Sequence, residues 1–370
     1  MADRFRPHPS ARLVGPDGAE AAAPELRAAL AKGAGFRIGL PGAPQPVRGF
    51  ETLTSGSTGA PRRIGRSVAS WTASFAVNAG LFGIGPGSRI AVLGAPEHSL
   101  SLYGALEGAC LGAEVHLLAG LRPDRQAAAL AARRVEVLYA TPAQLRALGG
   151  GSSGAAPVVA GLRLVLVGGS KLDAGLRGRL AALAPAAELR EFYGAAEASF
   201  ITLADARTPP ESVGRPYPGV RLEVRDGEVW VKSPYLFDGY ASDPGSAVWR
   251  DGWLSVGEMG RMADGFLHLS GRRGRMVTVA DQNVFPEEIE ALMEALPGVE
   301  RAAVLTVPDP ARGHVLRAVA KGDPAAEAAV MAALRAALGP MKAPREISWR
   351  QDWPVTASGK TDLAALERGE

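Results

Sequence analysis

The sequence predicts an α/β protein. A large N-terminal domain carries a parallel sheet with helices, then a small antiparallel β subdomain, and a small α+β domain follows at the C-terminus. Three observations predict this. Between residues 67 and 193, strand-length apolar runs alternate with helix-length segments, the pattern of a parallel sheet covered by helices. From 212 to 270 the pattern changes to alternation broken by turns, which reads as antiparallel β. After Gly271 helices and strands mix again.

The elements follow in order. Pro24–Ala31 reads as a helix, and a Gly/Pro-rich stretch leads on toward residue 54. Helices are expected at Ser67–Leu81, Leu100–Leu111, Arg122–Arg134, Pro142–Leu148 and Ala174–Leu183. The intervening strands are expected at Arg89–Leu93, Glu114–Leu118, Val135–Tyr139, Leu162–Val167 and Leu189–Tyr193. Val220–Val224 and Glu228–Val231 flank the turn Asp226-Gly227, and Trp253–Ser255 and Phe266–Leu269 complete the β-rich part. Pro286–Leu296 should be a helix, with proline in its first turn and Glu287, Glu288 and Glu290 at the positive end of its dipole. Val299–Val307, Val315–Ala320, the helix Ala325–Leu338 and Glu346–Trp349 finish the small domain. The boundaries expected are 1–270 for the large domain, with its β subdomain at about 212–270, and 271–370 for the small one.

Composition narrows the function classes. The chain has 370 residues, 47% hydrophobic and 21% charged, which suits a globular protein with sizeable cores. The net charge is only +3, with six lysines and scattered arginines, so no clustered surface for nucleic acid is expected. The single cysteine, Cys110, excludes a disulfide within the chain and sits in an apolar stretch, where it reads as packing. The first eleven residues are polar, and no uninterrupted apolar run reaches 18 residues, so a cytoplasmic protein without membrane insertion is expected.

Four segments carry chemistry. Residues 54–62 read Thr-Ser-Gly-Ser-Thr-Gly-Ala-Pro-Arg. Glycines let the main chain approach a polyphosphate, and hydroxyls, N–H groups and a cation can then cradle it. The same composition also suits a plain surface turn. Tyr193-Gly194-Ala195-Ala196-Glu197 follows an expected strand, where open parallel sheets bind ligands. A tyrosine there can stack on a base and a carboxylate can hold a divalent cation; the alternative is a strand–turn–helix connection. Glu258, with Arg272 downstream, can hold vicinal ribose hydroxyls, or be a turn acid and a surface arginine. Lys360, in Pro-Val-Thr-Ala-Ser-Gly-Lys, is a mobile point charge able to reach a phosphoryl oxygen, or a solvated tail lysine.

Taken together and in this order, these segments resemble the adenylate-forming superfamily: acyl- and aryl-CoA synthetases, adenylation domains of nonribosomal peptide synthetases, and luciferases. The flavour is that of a small acyl-CoA synthetase, N-terminally shortened. Further matching pieces are Pro96–Gly104 with His98, Val167–Leu172, Val213–Pro216, Glu228–Tyr240, the Asn283–Glu290 run, Met341–Pro344 and Pro354–Lys360. The resemblance implies a cytoplasmic ligase. It would use ATP and Mg²⁺ to activate a small carboxylic acid as an acyl-adenylate, releasing pyrophosphate. It would then transfer the acyl group to a thiol, that of CoA or of a phosphopantetheine carrier protein. Transfer to an amine, or a non-catalytic nucleotide-binding homologue, is the alternative.

Carried over position by position, the resemblance assigns Thr54, Ser55, Gly56, Ser57, Thr58, Gly59 and Arg62 to the β/γ-phosphates. Glu197 falls on Mg²⁺. Gly168, Gly169, Ser170, Tyr193, Gly194 and Ala195 fall on adenine, and Glu258 and Arg272 on ribose. His98, Trp71, Ala196 and Phe200 fall near the acid substrate, and Lys360 on the α-phosphate and attacking carboxylate. A hinge is implied near 271–276, at Arg275, about which the small domain rotates between half-reactions.

Five departures stand out. Only 53 residues precede the phosphate loop, fewer than in relatives, which reduces the expected acyl pocket and CoA surface. Arg62 replaces a lysine, Ala196 a hydroxyl residue and Glu258 an aspartate. Ala280-Asp281 occupy glycine positions of the loop that lines the pantetheine tunnel, where a carboxylate would narrow it or repel an anionic acceptor.

Overall fold

The computed structural model describes residues 4–18, 24–38, 49–53, 62–148, 158–241, 247–279, 282–310, 312–356 and 360–369. Thr54, Ser55, Gly56, Ser57, Thr58, Gly59, Ala280 and Asp281 lie outside the described residues. Chain contacts divide into two compact units, one of residues 1–223, 230–256 and 264–267, the other of 224–229, 257–263 and 268–370. The chain passes between them within the strands Arg221–Arg225, Glu228–Lys232, Trp253–Ala263 and Phe266–Arg272.

The first unit is organised by an eight-stranded sheet. Its order is Arg12–Val14, Glu114–Leu117, Arg89–Val92, Val137–Ala140, Leu164–Val167, Glu188–Ala195, Ser199–Leu203 and Arg215–Pro216. The first six strands run parallel, as the alternation with helices predicts, and the last two are antiparallel. The central strands are apolar on both faces because both are covered. Ile90, Val92, Val137, Tyr139 and Leu166 join a core built with the helices Val68–Phe82 and Ser99–Leu111. Ala91, Leu138, Ala140, Val165 and Val167 join the opposite core, with Pro123–Ala132, Pro142–Leu148 and Ala174–Leu183. At roughly 25 cal/mol per Å² of apolar area removed from water, these two layers supply the main driving force for folding.

A second sheet of this unit has the order Gly239–Tyr240, Arg63–Ser67, Gly49–Leu53, Phe36–Arg37. Gly49–Leu53 and Arg63–Ser67 pair antiparallel, Leu53 opposite Arg63. Gly49 must be glycine there: a Cβ would stand 1.8 Å from the Arg66 carbonyl oxygen.

In the second unit, Gln282–Val284, Val277–Val279, Gly313–Gly322 and Val299–Asp309 form an antiparallel sheet, and Ile347–Arg350 adds in parallel to Gly313–Gly322. The helices Pro286–Glu294 and Glu327–Leu338 cover one face through Ile289, Met293, Val330 and Leu334. Leu366, on the helix Leu363–Arg368, packs on Ala303, Leu305 and Val319 of the other.

Candidate active site

The segment after Glu188–Ala195 turns back as a strand, not a helix. Ala196, Glu197 and Ala198 make the turn, and Ser199–Leu203 returns antiparallel, with Ser199 opposite Ala195 and Phe200 opposite Gly194. The strand–turn–helix alternative is therefore excluded. Ser199 takes a left-handed conformation, φ +56°, which starts the return. Gly194 has no room for a side chain, since a Cβ would meet the Ser199 carbonyl at 2.2 Å. Gly168, at the end of the neighbouring strand, is likewise closed by the Phe192 ring at 2.2 Å, whereas Gly169 and Ser170 are exposed.

Glu197 is half-buried, and Tyr240 donates a 2.8 Å hydrogen bond to its Oε1. The Arg62 guanidinium lies 3.4 Å from the centre of the Tyr240 ring. Burial, with the Glu197 carboxylate next, raises the Tyr240 hydroxyl well above its ordinary value; Arg62 opposes this. The hydroxyl is therefore a committed donor. The Glu197 carbonyl accepts from the Phe237 amide at 2.8 Å, so both ends of this residue are held.

Trp71 and Phe200 are each only 2% exposed. Trp71 donates from Nε1 to Ser199 Oγ at 3.0 Å, and its ring meets Tyr103 edge-on with centroids 5.2 Å apart. Phe200 packs on Phe192, Tyr103 and Tyr217. Both back the turn from the core. His98 is half-buried and stands at the N-terminus of Ser99–Leu111, but its side chain makes no capping bond. Its backbone bridges to Leu53, whose carbonyl accepts from Ser99 Oγ at 3.0 Å, so it sits where the strand before the 54–61 segment ends.

In the second unit, Glu258 lies inside the long strand Trp253–Ala263, not in a turn, while Arg272 ends its strand. Arg272 Nε donates to Glu258 Oε1 at 3.2 Å. Burial raises the Glu258 carboxyl above its usual value; Arg272 and, more weakly, Lys360 pull it down. The Lys360 charge therefore bears on Glu258. The Lys360 carbonyl accepts from the Thr356 amide at 2.8 Å, and Val355 and Thr361 form an antiparallel bridge. Arg275 is anchored by Glu290 at 2.8 and 3.1 Å, by Glu287 at 3.3 Å and by the Val304 carbonyl at 3.0 Å.

Sequence reasoning assigned no role to Tyr240, Ser199 or Arg66. Tyr240 ends the matching piece Glu228–Tyr240, which was the available signal. Arg66 and Ser199 carry none, because their importance lies in burial and a backbone angle.

Among the described residues no three His, Cys, Asp or Glu side chains cluster as a metal cage. One carboxylate completed by substrate phosphates is nonetheless the usual protein contribution to Mg²⁺, and Glu197 fits that donor set.

A family model described as AMP-binding enzyme matches residues 51–241, and one described as AMP-binding enzyme C-terminal domain matches 288–360. The uncharacterized acyl-CoA ligase YhfT of Bacillus subtilis (strain 168) is 35% identical over 331 residues, covering 85% of this chain and 67% of that protein. Against two further curated relatives the chain spans 35% and 60% of their length. The amide bond synthetase McbA from Marinactinospora thermotolerans superposes with TM-score 0.76 at 26% identity, over 97% of this chain and 80% of that one. O-succinylbenzoate coenzyme A synthetase MenE from Bacillus subtilis, solved with ATP and a magnesium ion, shares the fold, with TM-score 0.72 at 21% identity over 86% of this chain and 69% of that one. The chain belongs to the AMP-binding enzyme family, in the adenylate-forming superfamily that includes the acyl-CoA ligases.

Proposed function

We propose that the chain activates a small carboxylic acid with ATP and passes the acyl group to the thiol of CoA or of a phosphopantetheine carrier. In the first half, a carboxylate oxygen bonds to the α-phosphorus of ATP, the bridging α–β bond breaks, and pyrophosphate leaves. In the second, the thiol sulfur bonds to the acyl carbon, AMP leaves, and the thiol proton goes to solvent. Such chemistry asks the protein for positioning and charge stabilisation more than for covalent work.

The observation that carries this reading is Glu197. It is a half-buried carboxylate held by Tyr240, with Arg62 on the same ring, on the turn that leaves the parallel sheet. Bound at Glu197, Mg²⁺ would neutralise phosphate charge. Arg62 and residues 54–59 would cradle the β/γ-phosphates. Gly169, Ser170 and the Tyr193–Ala195 backbone would line adenine, Glu258 and Arg272 would hold the ribose, and Lys360 would neutralise charge between the α-phosphate and the attacking carboxylate. His98 and Ala196 would face the acid, with Trp71 and Phe200 as the wall behind. Arg275 would mark the hinge between a large domain and the mobile small domain.

The test is pyrophosphate release from Mg·ATP across a panel of carboxylic acids, followed by mass spectrometry of products with CoA, a phosphopantetheinylated carrier or an amine. Release with an acid and an acyl thioester product support the proposal; ATP binding without release for any acid overturns it. The likeness to an amide bond synthetase favours the amine as second acceptor, and an amide product would replace the thioester half of the proposal.

A further inference from the structure

Arg66 is a buried cation that the reaction above does not use. It lies on the strand Arg63–Ser67, directly after the 54–61 segment, and is 0% exposed. Its Nη1 donates to the Ala196 carbonyl, and its Nη2 donates to the Tyr235 carbonyl and, at 2.8 Å, to Ser199 Oγ. Those acceptors bracket Glu197 on both sides of the turn. Ser199 Oγ also takes the Trp71 indole N–H, so it is fixed by two donors while its backbone holds the left-handed conformation.

A guanidinium in this place is costly. Burial lowers its pKa to about 10 against the opposing charges of Glu197 and Asp238. Its Nε finds no hydrogen-bond partner among the described residues. Buried polar groups with orphaned atoms ask for an explanation, because an apolar side chain of similar volume often stabilises as well or better. The explanation available is geometric. A planar fork reaches three acceptors on two segments at once, which an ammonium on a flexible stem does not. The loop beyond Tyr235 then supplies the Phe237 amide to the Glu197 carbonyl and the Tyr240 hydroxyl to its carboxylate.

We propose that Arg66 is a positioning residue: its guanidinium locks the Ala196–Ser199 turn to the loop at Tyr235, and so aims the Glu197 carboxylate at the divalent cation that accompanies ATP. This rests on the functional reading above.

The experiment compares wild type with Arg66→Met, Arg66→Lys and Ser199→Ala. It measures thermal unfolding without ligand, the affinity of Mn²⁺ in the presence of ATP by electron paramagnetic resonance, and the Mg²⁺ dependence of pyrophosphate release. Wobble in the Glu197 carboxylate should weaken the cation's apparent affinity by roughly 10- to 100-fold in Arg66→Met, in the range of outer-shell substitutions at metal sites. Arg66→Lys should recover only part of that loss, and Ser199→Ala should lose less. Lower unfolding temperature with unchanged Mn²⁺ affinity and unchanged Mg²⁺ dependence would overturn the proposal and leave Arg66 a packing residue. If Arg66→Met does not fold, Ser199→Ala decides: unaltered cation affinity there overturns the proposal. A wild-type protein that binds Mn·ATP but releases no pyrophosphate would sink the functional reading alone, since the Mn²⁺ comparison still reads the turn.

Discussion

Tyr240 and Glu197, 43 positions apart, are joined by a 2.8 Å hydrogen bond from the phenol to the carboxylate. Gly239–Tyr240 pairs antiparallel with Arg63–Ser67, Tyr240 opposite Ile64, so the strand beside Arg62's neighbours delivers the donor to the carboxylate. Tyr240→Phe keeps the ring beneath Arg62 and removes only the hydroxyl. A hydrogen bond to a charged group contributes about 1.5–3 kcal/mol, so the variant should require roughly 10- to 100-fold more Mg²⁺ at half-maximal pyrophosphate release. Titrating Mg²⁺ at fixed ATP checks this; an unchanged requirement would detach Tyr240 from the cation site.

The Glu258 carboxyl is held above its usual value by burial, with Arg272, Glu287 and Lys360 as its charged neighbours. Burial raises its carboxyl and Arg272 lowers it. The carboxylate, not the acid, accepts from ribose hydroxyls, so ATP affinity should fall as pH drops into the range where Glu258 protonates. Removing Arg272 takes away the opposing cation. Arg272→Met should therefore move the acid limb of the profile of 1/KM for ATP to higher pH. Superimposable profiles would contradict the pairing as the control of this limb.

Glu107 is a fully buried carboxyl that accepts from Asn78 Nδ2 at 2.8 Å, Tyr103 at 3.3 Å and Tyr139. Burial pushes its pKa from 4.5 up to about 7, the three donors opposing. A raised acid stabilises the fold fully below its unfolded value of 4.5, and that contribution is lost as pH rises through about 7. The shift corresponds to on the order of 3 kcal/mol. Thermal unfolding of the wild type should thus weaken between about pH 5 and about pH 8, and Glu107→Gln, neutral throughout, should flatten the slope there. Equal slopes would show that Glu107 does not set it.

Sequence and structure agree where packing is two-sided. Apolar strands such as Val137–Ala140 and Leu164–Val167 announce themselves because every residue is buried. The strands flanking the 54–61 segment escaped notice because charges interrupt them: Glu51 is buried against Arg37 at 2.7 Å and Arg63 at 3.5 Å, and Arg66 is buried beneath the turn. Trp253–Ala263 runs eleven residues where three were expected. Within it Gly260 serves close approach, a Cβ there meeting the His268 carbonyl at 2.4 Å. The residues proposed for the site, Glu197, Glu258, Arg272 and Lys360, could be named from the sequence. The supports at Arg66 and Ser199 could not, because a buried fork and a left-handed serine look like scattered charge and an ordinary hydroxyl in one dimension.

Lys360 stands next to the antiparallel bridge between Val355 and Thr361. Lys360→Ala should lower acid-dependent adenylation by on the order of 100- to 1,000-fold, the loss expected on deleting a group that stabilises charge in the transition state. ATP binding, measured by calorimetry, should change little. Undiminished turnover would reject the assigned role.

Carboxylate activation itself is tested most directly by isotope exchange, because exchange needs no acyl acceptor. Labelled pyrophosphate is incubated with the protein, Mg²⁺, ATP and each of a panel of small carboxylic acids. Label should enter ATP with an acid present, fail to enter when the acid is omitted, and fall sharply in Lys360→Ala. Bound ATP with no exchange for any acid, or exchange indifferent to the acid, would contradict carboxylate activation.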